Sequence, residues 1–435
     1  MKLHLITAEG ERTRWMRRGR LIRFPQLTMP LVAALTPAGV FDEIHHTDEI
    51  VDEVRFDCGD DLVGITATTC AAPHAYDLAD EFRARGVRVV LGGPHPTLMP
   101  QEAKQHADAV VVGEAEEAWP RLVHDFANGR LAPFYRSKQA PSLAGLPWAR
   151  RDLIAGRSYG RGVVIATRGC PHRCGYCMLR RLYHPGQRRR PVEEVVAEVE
   201  SIRERAVIFW DDNLTADRDY ARRLFRALAP LKKWWTSQAT LDLADDPGLL
   251  ALAAESGCEA LFAGLESVNA ASLAETHKGF NQPRRYREAI RRFHEAGIAV
   301  QAGVVFGFDH DDPSVFARTV EALEAAAVDV ASIGSLTPFP GTELFRRLER
   351  EGRILTRDWS LYDARSAVVF RPRRMSPDEL QAGLEWATRQ FYSLGSIARR
   401  LGHSRQGLWW NLPRNLGYKL AFEKLGLRGF NPAAG

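Results

Sequence analysis

Apolar and polar positions alternate along this chain in two successive series. In the first, residues 2–8 read as a strand, 29–35 as a helix, 61–69 as a buried strand and 74–85 as a helix. Residues 87–91 form a strand that runs into Gly92-Gly93-Pro94-His95, followed by a short helix at 100–106, a strand at 107–113 and a helix at 116–128. Strands that alternate with helices predict a parallel sheet covered on both faces. The strands are continuous apolar runs, as parallel strands buried on both sides require. The expectation is an α/β fold that opens with a doubly wound parallel sheet over residues 1–137.

Residues 138–159 carry Pro141 and Pro147 and little periodicity, and read as a linker. The second series follows over 160–350. Its strand-like runs are 162–167, 205–210, 233–239, 260–264, 299–306 and 328–336, with helical patterns such as 191–203 and 217–228 between them. Six β-α units predict a partial (β/α)6 barrel of the TIM type, whose chemistry gathers at the carboxyl ends of the strands. From 351 to 435 the pattern becomes helical after an irregular start, with 380–394 strongest.

Polar residues mark those strand ends. In the second series they are Asp211-Asp212-Asn213, Ser237-Gln238, Glu266-Ser267 and Thr337. In the first they are Thr66-Ala67-Thr68-Thr69, Gly92-Gly93-Pro94-His95 and Gly113-Glu114-Ala115-Glu116. Open α/β sheets bind ligands outside these ends. The paired glycines either admit a ligand close to the backbone or form a plain strand-to-helix turn. No G-x-G-x-x-G follows the first strand, which disfavours a dinucleotide site.

Composition changes little. The chain has 435 residues, 45% hydrophobic and 26% charged, with a formal net charge of +5, too weak a bias to predict nucleic acid as a partner. The first residues lack the long apolar core of a signal peptide. No run reaches the roughly 18 apolar residues that span a bilayer. A cytoplasmic protein is expected.

Cysteine placement changes the picture. Cys170, Cys174 and Cys177 follow the first strand of the second series in C-x3-C-x2-C spacing, within Arg-Gly-Cys-Pro-His-Arg-Cys-Gly-Tyr-Cys. Three thiolates on one loop can hold an iron–sulfur cube and leave its fourth iron open. Structural zinc normally closes with four ligands, and no second pair exists. Cys58, Cys70 and Cys258 are scattered and read as ordinary half-buried or buried residues.

This loop, with Tyr176 before its last cysteine, resembles that of the radical S-adenosylmethionine enzymes. The resemblance implies a 4Fe–4S cluster on the three cysteines, S-adenosylmethionine on the open iron, and its cleavage to a 5′-deoxyadenosyl radical. The first series resembles the cobalamin-binding domain fused ahead of many such enzymes, through Asp61-Leu62-Val63-Gly64-Ile65-Thr66, Leu91-Gly92-Gly93-Pro94-His95 and 107–116. Cobalamin is therefore the implied second cofactor. The chain departs from cobalamin mutases in lacking Asp-x-His-x-x-Gly, so no histidine of that motif reaches cobalt.

The implied reaction is methylation of an unactivated carbon of a small molecule in a natural-product, hopanoid or pigment pathway. One S-adenosylmethionine would methylate cob(I)alamin and a second would supply the radical. An external electron donor such as flavodoxin or ferredoxin is implied. A radical enzyme of the same architecture that cyclises, rearranges or oxidises its substrate is the alternative. A methylthiotransferase is disfavoured, because only Cys58 and Cys70 precede the motif where that family has three cysteines.

The resemblance also implies site residues. Tyr176 packs near the adenine or fills the core. Asp211 and Asp212 bind the cofactor or cap the next helix. Gln238, Glu266 and Ser267, with Lys278 a weaker candidate, hold the ribose or methionine moiety. Thr66, Thr68, Gly92, Gly93, Pro94, His95 and Glu114 line the cobalamin site. The basic run Arg188-Arg189-Arg190, with Arg180 and Arg181, reads as a solvated surface. The tail with Trp409, Trp410 and several arginines packs on the barrel, with peripheral membrane contact as the other reading.

Overall fold

The structure, a computed structural model, describes residues 1–10, 24–157, 159–402 and 408–424, without the side chains of 408–410 and 421–424. It divides into two compact units. The first comprises Met1–Val163, Met178–Arg188 and Asp358–Ser360; the second comprises Val164–Cys177, Arg189–Arg357 and Leu361–Gly435.

The first unit is built on β1 (Lys2–Thr7), β2 (Glu43–Asp48), β3 (Leu62–Thr66), β4 (Arg88–Gly92), β5 (Ala109–Val112) and β6 (Phe134–Arg136), in the order β2-β1-β3-β4-β5-β6. The described pairings are parallel. Side chains alternate between two cores, as strand geometry dictates. Ile6, Val63, Ile65, Val89, Leu91 and Val110 meet the helix Ala72–Ala84 through Ala75, Leu78, Ala79 and Phe82. Leu3, Leu5, Leu62, Val90 and Val111 meet Ala118, Trp119, Leu122 and Val123 of the helix Ala115–Ala127. Gly64 lies against Trp119, where a Cβ would be tight against Leu5. Strand order reverses between β1 and β3, which puts the expected crevice at their carboxyl ends.

Sequence reading missed β2. Its residues, Glu-Ile-His-His-Thr-Asp, are mostly polar, yet three are buried at the sheet's edge. Their donors and acceptors find partners. Thr7 Oγ1 and His46 Nε2 lie 3.1 Å apart, and Tyr159 donates to Asp48 at 2.7 Å.

The second unit is organised on β7 (Gly162–Val164), β8 (Ala206–Phe209), β9 (Trp234–Ala239), β10 (Cys258–Glu266), β11 (Ala299–Phe306) and β12 (Val330–Ser335), joined in sequence order. Here burial alternates. Val207, Trp235, Leu261, Val300, Val304 and Phe306 belong to one large core with the outer helices. Gln238, Phe262, Glu266, Gln301 and Val305 on the opposite face are half-buried. A parallel sheet with helices outside and a half-open inner face is a partial barrel.

The C-terminal segment belongs to this unit, with helices Pro377–Phe391, Leu394–Leu401 and Leu408–Lys424. Arg400, placed with the basic tail by sequence, is buried, and donates to Val328 O at 2.7 Å, Asp329 O at 3.0 Å and Phe391 O at 2.9 Å. Burial lowers its pKa to about 10. Arg414 donates to Gln301 at 3.1 Å, near the amino end of β11. The side chains of Trp409 and Trp410 lie outside the described residues.

Candidate active site

The cysteine loop starts just past β7. Gly169 precedes Cys170 with φ +86°, a left-handed conformation suited to glycine. All three cysteines are half-buried, and none is in a disulfide. Cys177 N donates to Cys174 O at 3.1 Å, closing a turn. Gly175, inside this turn, is held from two directions. Its N–H donates to Thr276 O, and its carbonyl accepts from Leu344 N, each at 3.1 Å. His172 stacks on Phe280, with centroids 4.1 Å apart.

Asp211 and Asp212 brace the loop. Asp211, almost fully buried, accepts from Ala166 N at 3.2 Å and from Thr167 N. Burial pushes its pKa up to about 7 against these bonds. Asp212 accepts from Gly169 N at 2.8 Å. The carboxylates therefore turn back onto the backbone that leads into Cys170. Neither caps the next helix; Asp217 does, accepting from Tyr220 N at 2.9 Å. Asn213 Nδ2 lies 4.0 Å from Cys170 Sγ, a placement the sequence hinted at only through the Asp-Asp-Asn run.

Across the inner face, β10 is irregular between Gly264 and Glu266, and Glu266 takes φ +65°. A non-glycine residue there is uncommon and typically overdetermined by its surroundings. Lys278 supplies that, donating to Glu266 Oε1 at 2.5 Å. A Cβ on Gly264 would collide with this pair. Burial works to lower the Lys278 pKa, but Glu266 and the Cys174 thiol outweigh it and hold the ammonium above its usual value. Burial raises the Tyr176 phenol, and nearby Glu266 adds to the rise. Tyr176 packs edge-on against Phe308, at 6.2 Å between centroids. Ser267 Oγ accepts from Asn269 N at 3.0 Å. Gln238 lies half-buried at the end of β9. Cys170, Cys174, Tyr176, Asp212, Glu266 and Lys278 thus form one electrostatic neighbourhood. Burial raises the thiols of Cys170 and Cys174, so binding a metal here displaces protons.

The expected site of the first unit is made differently. Thr66 is buried and Thr68 exposed at the end of β3, with half-buried Gly92, Gly93 and Pro94 beside them. Ala67 N donates to Gly92 O at 3.2 Å, and His95 N to Ala67 O at 3.0 Å. Gly93 has φ +89°, and a Cβ there would collide with Thr66 Oγ1. His95 is fully buried, its Nε2 3.1 Å from Glu102. Tyr76 and Trp359 also donate to Glu102, each at 3.0 Å. Burial would raise Glu102, but these bonds prevail and lower its pKa. Glu114 is buried and pairs with Arg188 at 2.5 Å.

The basic run is only in part the solvated surface expected from sequence: Arg180, Arg181 and Arg189 are exposed, whereas Arg188 is half-buried and Arg190 buried. Arg188 takes Glu114, Arg189 pairs with Asp217, and the buried Arg190 bonds Glu198 at 2.5 Å. Burying a charge requires a partner; Glu198 supplies it for Arg190, and the more distant Glu114 for Arg188.

The donor sets fit the implied cofactors. Three half-buried thiols on one braced loop suit a cluster with an open iron. At the strand ends of the first unit, half-buried Gly92 and Gly93 and exposed Thr68 offer backbone and small side chains to a ligand.

Comparison with known proteins agrees. Residues 164–323 match the Radical SAM superfamily, residues 38–123 the B12 binding domain, and residues 342–414 a domain of unknown function, DUF4070. Bacteriochlorophyllide d C-8(2)-methyltransferase of Chlorobaculum tepidum is 30% identical over 374 residues, covering 80% of this chain and 81% of its own. The C-12(1)-methyltransferase of the same organism is 29% identical over 401 residues, covering 88% and 87%. Among solved structures, the radical S-adenosylmethionine methyltransferase TsrM from Kitasatospora setae, with cobalamin and a [4Fe-4S] cluster bound, is 18% identical, with a TM-score of 0.66 over 90% of this chain and 81% of that one. That likeness establishes the fold.

Proposed function

The chain belongs to the radical S-adenosylmethionine enzymes that carry a B12-binding domain, and from that premise we propose that it methylates an unactivated carbon of a small molecule. The braced C-x3-C-x2-C loop at the mouth of a half-open barrel carries this reading. When bound, the cluster and the corrinoid supply the electron for cleaving S-adenosylmethionine and the methyl group for the product.

The chain's own residues position and shield. Cys170, Cys174 and Cys177 are the cluster ligands. Asp211 and Asp212 are positioning residues that fix the loop backbone ahead of Cys170. Tyr176 lies beside the adenine. Gln238 and Glu266 hold the ribose and methionine moieties from the inner face, with Lys278 donating to the Glu266 carboxylate. Ser267 fixes the turn behind Glu266. In the first unit, Thr66, Thr68, Gly92, Gly93 and Pro94 meet the corrinoid through backbone and small side chains. His95 and Glu114 support them from buried networks. The electron comes from an external donor of the flavodoxin or ferredoxin kind.

The two Chlorobaculum relatives are named for methyl transfer to numbered carbons of a bacteriochlorophyllide, which supports carbon as the acceptor and a pigment-like substrate. The test is anaerobic purification with cobalamin, followed by assay of 5′-deoxyadenosine and of methyl transfer from labelled S-adenosylmethionine to a chlorophyllide panel. Deoxyadenosine with a labelled pigment supports the proposal. Deoxyadenosine with an unlabelled, cyclised or oxidised product would replace methylation with another radical outcome.

A further inference from the structure

A second metal-type donor set lies in the first unit, in a part of the sheet unused by the proposed reaction. His4 of β1 and His45 of β2 are direct cross-strand partners, so their rings project from the same face. The rings lie 4.0 Å apart between centroids. Asp60, just before β3, reaches both of them. Its Oδ2 is 3.1 Å from His4 Nδ1, and its Oδ1 is 3.3 Å from His45 Nε2. One ligand atom from each residue falls within 4.8 Å of the others.

Hydrogen bonding leaves this cluster incomplete. Both ring nitrogens of His45 and Oδ1 of Asp60 are buried without a hydrogen-bond partner. The 3.3 Å approach between them lacks the alignment of a hydrogen bond. The Asp60 side chain is 1% exposed. Burying such atoms unpartnered costs about 1–3 kcal/mol each.

We propose that His4, His45 and Asp60 bind a divalent transition-metal ion, with zinc as the ion that fits best. Two observations beyond the donor types support this. In a tetrahedral site with arms of about 2.0–2.1 Å, neighbouring ligand atoms stand roughly 3.3 Å apart. The two measured separations, one to each oxygen of Asp60, are close to that length. In addition, His4 Nε2 lies 2.9 Å from Thr47 Oγ1. A metal-ligating histidine usually gives its second N–H to an oxygen, which fixes its tautomer. With metal on Nδ1, the His4 proton sits on Nε2 and is donated to Thr47. Without metal, Nδ1 donates to Asp60 and Nε2 accepts from Thr47. The ion replaces the proton between His4 and Asp60 and gives a partner to His45. Burial and neighbouring His4 also lower the His45 pKa, which favours the neutral form a metal needs. Lys2 nearby opposes a cation, but it pairs with Glu43 at 3.2 Å.

The site joins the edge strand β2 to β1 and to the entrance of β3. It lies about 10 Å along β1 from that strand's carboxyl end, at roughly 3.3 Å per residue. Its role is therefore to clamp the sheet edge. The inference is independent of the methyltransferase reading.

The test uses the full-length, cluster-loaded protein, stripped with chelator and then dialysed against zinc. Metal analysis should find one zinc per chain more in the parent than in His45→Ala or Asp60→Asn. Zinc X-ray absorption should show nitrogen and oxygen neighbours only. Zinc should raise the melting temperature of the parent and leave both variants unmoved, while deoxyadenosine formation stays at the parent level in all three. Equal zinc in parent and variants overturns the proposal. A sulfur shell near about 2.3 Å would place the zinc on cysteines and overturn it as well. If His45→Ala fails to fold, the near-isosteric Asp60→Asn decides the matter alone.

Discussion

In the first sheet, Leu62–Thr66 is buried at every residue; in the second, Trp234–Ala239 alternates buried with half-exposed positions. Both sheets are parallel, yet one is covered on both faces and the other on one. The difference decides where each can place a ligand. A doubly covered sheet has only its strand ends free, so its site is made of backbone, threonines and glycines. A half-open barrel offers side chains on its inner face as well, and there Glu266 and Tyr176 lie near the cysteines. The charged groups of the first unit are instead paired in buried networks such as His95–Glu102 and Arg188–Glu114.

The most severe break is Cys174→Ala. It should remove the cluster's absorbance near about 400 nm and reduce deoxyadenosine formation to background. A variant that keeps a full cluster would dismiss the ligand assignment.

Gly93→Ala attacks the strand-end site of the first unit. Positive φ and collision with Thr66 should cost roughly 2–5 kcal/mol in denaturant unfolding, and cobalamin retention should fall with it. Unchanged retention would separate this turn from the cofactor.

A matched pair measures the contrast between the sheets directly. Val110 is fully buried in the first sheet, and Val305 is half-buried on the inner face of the second. Val110→Ala should cost about 2–3 kcal/mol and Val305→Ala about 1 or less, by lost burial plus cavity. Equal costs would mean the inner face is as closed as the first sheet.

Titration gives a smaller signal. Folded Asp211 keeps its proton to about pH 7, whereas an ordinary aspartate releases it near 3.8. Between these values the native state binds the extra proton, so stability falls as pH rises from about 4 to 7. Asp211→Asn should flatten that part of the stability–pH curve in cluster-free protein. A slope that persists would assign it to other groups.

Gln238→Ala should have the slightest effect on folding, within about 0.5 kcal/mol, as for a half-exposed polar residue. Its effect should fall on the KM for S-adenosylmethionine, raised several-fold with the cluster spectrum intact. An unchanged KM would remove Gln238 from the site.

How much was legible follows from how locally each feature is encoded. The cysteine spacing is local, and so are the continuous apolar strands of the first sheet and the alternating strands of the second. Strand β2 was not legible, because its polar residues are buried only by tertiary partners such as Tyr159 and Arg157. Asp211 and Asp212 read equally well as helix caps or cofactor ligands until the backbone they accept from was in place. Arg188 looked like surface, since the acid that pairs with it is remote in sequence.

The sequence by itself determined the kind of chemistry. Ligand type and spacing within eight residues specify a three-thiolate loop, and strand-length periodicity specifies parallel α/β sheets. The tertiary structure alone decided which polar side chains face a ligand and which serve the protein. That choice depends on where each desolvated charge finds its partner, and many of those partners lie tens of residues away. The same reason explains why His4, His45 and Asp60 form a donor set only in the folded sheet. Strand pairing makes the two histidines neighbours, and the loop before β3 brings the carboxylate to both.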